Sequence, residues 1–346
     1  SLFDKELGRE LIDHAAAHRF GQLLSRASEG GEAQGATLNV LGVTEHGPLY
    51  STIRLRGSLA GCPAATEEIT LYHRAKRIDV AIRLLRDSTP NLELYCAFPF
   101  DVPNPHFRYE ATGAVIEPLR DQLPGTNTDY YAVQHWAEVS NETCGLLWTS
   151  LDAPMAECGG LWPGYVSGAH HGVTPPGYGH PFLAPGELKQ GHIYSLLMYN
   201  NFRTNFINVH TGEALFRYSL TTRGAERPAG WAHRTGWGAA NPPTVVWMDG
   251  PRKGTLAPAA SLAHVDAGNV MLLTMKRAED GQGIILRLVE TEGRACEATV
   301  GLPLCSIQGA RQTNLVEEDG PALPYDAHSV RVSMRPYGTA TVRAIV

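Results

Sequence analysis

A chain of 346 residues with 43% hydrophobic and 18% charged side chains is long enough for about two domains and too apolar for a disordered polymer. Its formal charge of -6 supplies no general attraction for a polyanion, so nucleic acid is not an expected partner. No run of about 18 apolar residues suggests a membrane span, and residues 1–10 lack a basic stretch leading into an apolar one, so neither membrane nor signal peptide is expected.

In chain order, period-two alternation predicts strands over residues 37–43, 49–56, 69–72 and 77–85. Ile78, Val80, Ile82 and Leu84 point one way, Asp79 and Arg83 the other. Leu49, Ile53 and Leu55 likewise oppose Tyr50, Thr52, Arg54 and Arg56, and Ile69 with Leu71 opposes Thr70 and Tyr72. Further strands are expected over 92–98, 130–139, 145–150, 193–199 and 215–220. Residues 159–191 are rich in Gly, Pro and His and cannot sustain a ladder, which predicts a long loop, either on a functional rim or facing a partner, or else a passive surface loop. Residues 223–258 read as a crossover on the outside of the first domain, with Trp231, Trp237 and Trp247 as anchoring hydrophobes or, alternatively, a sugar platform. Alternation resumes over 269–276, 283–290, 295–302, 309–314, 328–334 and 339–346, as in a small β-sandwich. Few helices are expected, and the domains are 1–257 and 258–346.

Candidate chemistry is sparse. Asp101, Asp129, Glu138 and Asp152 lie near strand ends, yet a glycosidase needs two carboxylates facing one bond, and their spacing selects no pair. His170, His171, His180 and His192 have no zinc-like spacing. The six cysteines contain no CxxC pair and read as buried thiols, with Cys144–Cys158 or Cys296–Cys305 as possible bridges. That usage favours a cytoplasmic location over a secreted one, while a chain starting at Ser1 leaves a lost leader open. Asn141-Glu-Thr is a glycosylation sequon or an ordinary turn. Tyr199-Asn-Asn-Phe-Arg-Thr-Asn-Phe206 is the densest polar and aromatic segment, suited either to sugar hydroxyls or to a buried network.

Whole segments resemble, in family order, the C-terminal region of glycoside hydrolase family 38 α-mannosidases. They are LFDKELGREL at 2–11, AFPFDVPNP at 97–105, LPGTNTDYYAVQHWAEVS at 123–140, SLDAPMAECGG at 150–160 and MYNNFRTNF at 198–206. FRYSL at 216–220, KRAEDGQGIILRLVETEG at 276–293 and RPYGTATVRAIV at 335–346 complete the series. The resemblance implies an all-β fold, a galactose-mutarotase-like antiparallel supersandwich followed by a smaller β-sandwich. It implies a non-catalytic portion of an enzyme that releases terminal α-mannosyl residues. The catalytic aspartate and a zinc ion are expected in an N-terminal domain absent from these residues, so no catalytic residue, metal ligand or cofactor is carried over here. Partners are then that N-terminal catalytic domain and a mannose-containing oligosaccharide. By resemblance Asn200, Asn201, Arg203, Thr204 and Asn205 border the sugar site, although Phe202 stands where the family often has Trp and His210-Thr-Gly replaces a commoner Gln-Gly-rich turn. The competing readings are an autonomous carbohydrate-binding module and a different supersandwich enzyme, such as a polysaccharide lyase or mutarotase relative.

Overall fold

The computed structural model describes residues 1–27, 31–123, 126–162, 183, 186–200, 207–250, 253–254 and 257–346. Its contacts divide the chain into two units, Ser1–Ala111 with Ile116–Arg227, and Pro228–Val346 with Thr112–Val115. The expected fold class holds: a large antiparallel sandwich followed by a smaller one.

In the first unit, a nine-stranded sheet runs in the order Ala114–Ile116, His106–Ala111, Trp136–Ser140, Gly145–Ser150, Gly212–Arg223, Ile78–Arg86, Cys62–Tyr72, Tyr50–Leu59, Thr37–His46. A six-stranded sheet runs Tyr131–Ala132, Met155–Cys158, Gly191–Tyr199, Leu92–Phe100, Leu23–Ala27, Gln34–Gly35. Their facing surfaces make one core. Val80, Ile82 and Leu84 meet Leu94, Cys96, Phe98 and Phe100, all essentially buried, as the alternation dictates. The Phe98 ring stands edge-on to Tyr218 at 5.0 Å between centroids, and Tyr218 stacks on Trp148 at 5.5 Å. The Tyr218 hydroxyl donates to Ser195 Oγ at 2.9 Å, so this large ring is buried without an orphaned polar tip. The N-terminal hairpin, Phe3–Asp4 with Arg9–Glu10, turns at Gly8 with φ of 65°, where a side chain would be strained.

The second unit packs a five-stranded sheet against a three-stranded one. Leu286, Leu288, Val300, Val330, Val342 and Ala344 fill its core. The buried Glu290 carboxylate ties several turns together. It accepts the N–H groups of Glu292, Arg294 and Tyr337 at 2.8, 3.1 and 2.8 Å and the Asn269 amide at 2.8 Å.

Three features depart from the expectation. The region 130–139 is two strands: Tyr131–Ala132 joins the six-stranded sheet through Met155–Cys158, and Trp136–Ser140 joins the nine-stranded one. A chain that changes sheets keeps extended geometry, so its composition hides the break. Residues 231–240 form an α-helix, Trp231–Ala240, with Ala232, His233 and Gly236 buried. Its two glycines and weak apolar periodicity concealed it. Trp247, expected as an anchor, is 89% exposed.

Candidate functional site

The strand alternation that fills the sandwich sends a second set of side chains to the opposite face of the six-stranded sheet. Leu92–Phe100 contributes Glu93 and Tyr95, Leu23–Ala27 contributes Arg26, and Met155–Cys158 contributes Glu157. Register fixes their proximity, because Arg26 pairs with Glu93, Leu24 with Tyr95, and Glu157 with Tyr194. These residues are far apart in sequence and close only through the ladder.

Arg26 is the hub. Its Nε donates to Glu93 Oε2 at 2.9 Å, its Nη2 to the Tyr95 hydroxyl at 3.0 Å, and its Nη1 to the Trp162 carbonyl at 2.5 Å. The Tyr95 hydroxyl donates to Glu93 Oε2 at 3.0 Å and lies 3.0 Å from the Tyr130 hydroxyl. On the far side, the Trp162 N–H donates to Glu157 Oε2 at 2.6 Å and its indole N–H to the Cys158 carbonyl at 3.0 Å. Glu93, Tyr95 and Glu157 are each 0% exposed.

Burial works against the Arg26 charge, but Tyr95, Glu93 and Glu157 outweigh it and the guanidinium stays protonated. Burial pushes the Glu157 carboxyl up to about 8; the Trp162 N–H, Arg26 and Tyr95 pull it down and Glu93 pushes it further up. Burial likewise raises the Glu93 carboxyl against the pull of Arg26 and Tyr95, so the one guanidinium sits among acids that burial biases toward the protonated form. Oε1 of Glu93 and of Glu157 accept no hydrogen bond. Such an enclosed set locks strands and a turn together.

Further along the same face, His192 Nε2 lies 2.9 Å from Asp13 Oδ2 and His18 Nδ1 lies 3.1 Å from the Tyr194 hydroxyl. Burial, reinforced by His192, lowers the His18 pKa. Among the described residues, no group of three or more His, Cys, Asp or Glu side chains could hold a metal ion. The described residues thus offer no set that fits zinc. His170, His171 and His180 lie outside the described residues.

Of the residues singled out in the Asn-rich segment, Asn200 ends the Gly191–Tyr199 strand and is 3% exposed. Its Oδ1 accepts the Leu92 N–H at 2.5 Å and its Nδ2 donates to the Thr89 carbonyl at 2.9 Å, so the side chain clamps the turn before Leu92–Phe100. Asn201, Arg203, Thr204 and Asn205 lie outside the described residues. The other carboxylates are engaged structurally. Asp152 takes two bonds from Arg217 at 2.9 and 3.0 Å, Glu138 accepts Arg223 Nε at 2.7 Å, and Asp101 faces Arg9 at 3.8 Å. Cys62, Cys96, Cys144 and Cys158 are buried free thiols. Asn141 Nδ2 donates to the Pro103 carbonyl at 2.9 Å and Oδ1 accepts the Thr143 N–H at 2.9 Å, which makes the sequon a hydrogen-bonded turn.

The fold is thus a large antiparallel sandwich, braced by a buried charged cluster, with a smaller β-sandwich behind it in sequence. Residues 269–342 match the family described as glycosyl hydrolases family 38 C-terminal beta sandwich domain. That match covers the second sandwich, and the chain as a whole is compared through its fold. An α-mannosidase from Enterococcus faecalis V583 superposes with a TM-score of 0.69 and 15% identity over 99% of this chain and 40% of its own. A family 38 protein from Enterococcus faecalis gives 0.68 and 15%, over 99% and 41%. The chain thus spans about two fifths of the solved proteins it matches. No curated protein sequence matches it.

Proposed function

We propose that the chain is the non-catalytic C-terminal portion of an α-mannosidase-type glycoside hydrolase, where it braces and borders a sugar cleft completed by other polypeptide. The observation that carries this reading is the near-complete coverage of this chain by two fifths of a solved α-mannosidase. The sealed state of Glu93 and Glu157 supports it, since a retaining or inverting hydrolase needs two carboxylates that reach one bond. On this reading the partner is an N-terminal catalytic domain that carries zinc, and the substrate is a glycan with terminal α-mannosyl residues. Asn201, Arg203, Thr204 and Asn205 are proposed as contributors on the resemblance alone, with Asn200 holding the start of their segment in place.

The test is turnover of an aryl α-mannoside. The 346-residue chain is expected to be inactive with or without added zinc, whereas the longer polypeptide is active and loses activity to a chelator. Zinc-dependent turnover by the isolated chain overturns the reading.

A further inference from the structure

The inner face of the nine-stranded sheet is more extensive than its cover. Paired residues share a face, so the registers define rows running toward the free edge. One row is Tyr218, Val80, Ile69, Ile53, Val43, and the next is Phe216, Ile82, Glu67, Leu55, Val40. Each row starts in the core and ends in solvent. Tyr218 and Val80 are both 1% exposed, whereas Ile53 is 42% and Val43 61%; Phe216 is 9% and Val40 67%. In a third row, Leu220 and Ile78 lead to Leu71, which is 53% exposed. Leu71 and Ile78 also line a cleft of about 490 Å³ beside the N-terminal hairpin, so the apolar ledge continues into a concave surface.

The reverse face is polar. Arg54 bonds to Glu68, and Thr52 Oγ1 lies 2.8 Å from Thr70 Oγ1. The strands are thus patterned for burial on one side only, and that side is bare where Thr37–His46 and Tyr50–Leu59 reach past the core. A contiguous apolar patch of this kind marks an interaction site.

We propose that this ledge, centred on Val43, Ile53 and Leu71, is the seat of the remaining polypeptide of the α-mannosidase-type enzyme, an inference that rests on the function proposed above. The solved relative holds more than half of its chain outside the matched part, which supplies an occupant. Edge-to-edge pairing with a second copy is disfavoured. The free-edge strand carries two register shifts, at Val40/Gly42 and Val43/Glu45, and Gly42 has φ of 106°; such bulges spoil an edge as a template. An aliphatic ledge also lacks the donors a sugar requires.

Ile53→Cys and Arg56→Cys, on opposite faces of one exposed strand, are to be made in the isolated chain and in the longer polypeptide, with thiol-labelling rates measured in each. The proposal expects rapid labelling of both in the isolated chain and at least tenfold slower labelling of Ile53→Cys alone in the longer polypeptide. Ile53→Asp should also weaken association at least tenfold when the two parts are supplied separately, and Ile53→Ala less. Unchanged Ile53→Cys labelling in a polypeptide that hydrolyses aryl α-mannoside overturns the ledge while the functional reading stands. Concentration-dependent protection in the isolated chain names a second copy as occupant and overturns it too. A longer polypeptide without mannosidase activity overturns the functional reading and the occupant with it.

Discussion

Glu157 accepts the main-chain N–H of Trp162 at 2.6 Å while Arg26 donates to the carbonyl of the same residue at 2.5 Å, so a carboxyl and a guanidinium hold the backbone of one residue on both sides. Glu67 is the contrasting case. It lies in the sandwich interior with Oε1 unpartnered, and burial alone pushes its carboxyl up to about 8.

Both acids make stability depend on pH. Their folded-state pKa of about 8 stands above the reference of 4.5, so the folded state binds more protons between those values. Their contribution to stability is therefore complete below about 4.5 and is lost as pH rises through about 8. Urea unfolding at pH 5 and 8 should show Glu67→Gln with a flatter profile than the parent chain. An unchanged slope would mean that Glu67 is not protonated in the fold.

The N-terminal hairpin responds in the opposite sense. Burial raises the Glu10 carboxyl, but bonds from Ser1 and from the Leu2, Ile12 and Leu11 N–H groups prevail and lower it from 4.5 to about 2. Its contribution is complete above pH 4.5 and is lost as pH falls through 2. Amide exchange at Leu2, Leu11 and Ile12 should accelerate in Glu10→Ala at pH 7, and in the parent chain on acidification.

Glu290→Ala removes the acceptor of three main-chain N–H groups from a buried site. The expected loss is about 3 kcal/mol, because stranded buried donors cost more than a surface bond. Glu290→Gln, which keeps one acceptor oxygen, should lose less. Thermal unfolding of the three proteins compares them, and equal midpoints would contradict the assignment.

Asn200→Ala should cost about 2 kcal/mol through the stranded Leu92 N–H and Thr89 carbonyl. Asn200→Asp retains the acceptor and should fall between. If urea midpoints do not move, the clamp has no energetic role.

Much of the fold was legible because one-sided burial writes itself as alternation. Val80, Ile82 and Leu84 were assigned inward from the pattern of 77–85 alone, and the strand occupies Ile78–Arg86. The same logic failed for Leu23–Ala27, whose first four residues are all buried; with both faces covered, no periodicity survives. The cluster was invisible for a related reason. Arg26, Glu93 and Glu157 stand in three separate segments, and nothing local marks a carboxylate whose partner arrives by strand pairing. Position near strand ends singles out Asp101, Asp129, Glu138 and Asp152 instead; the structure pairs Asp101, Glu138 and Asp152 with Arg9, Arg223 and Arg217 and buries Asp129.

By itself the sequence determined, for the alternating strands, which side is apolar, because backbone geometry ties side-chain direction to residue parity. Only the tertiary structure decided what lies opposite each face. Register brought Arg26 between Glu93 and Trp162, and left Val43 61% and Ile53 42% exposed. Alternation is a property of one strand, whereas cover and charge pairing require a second element to arrive.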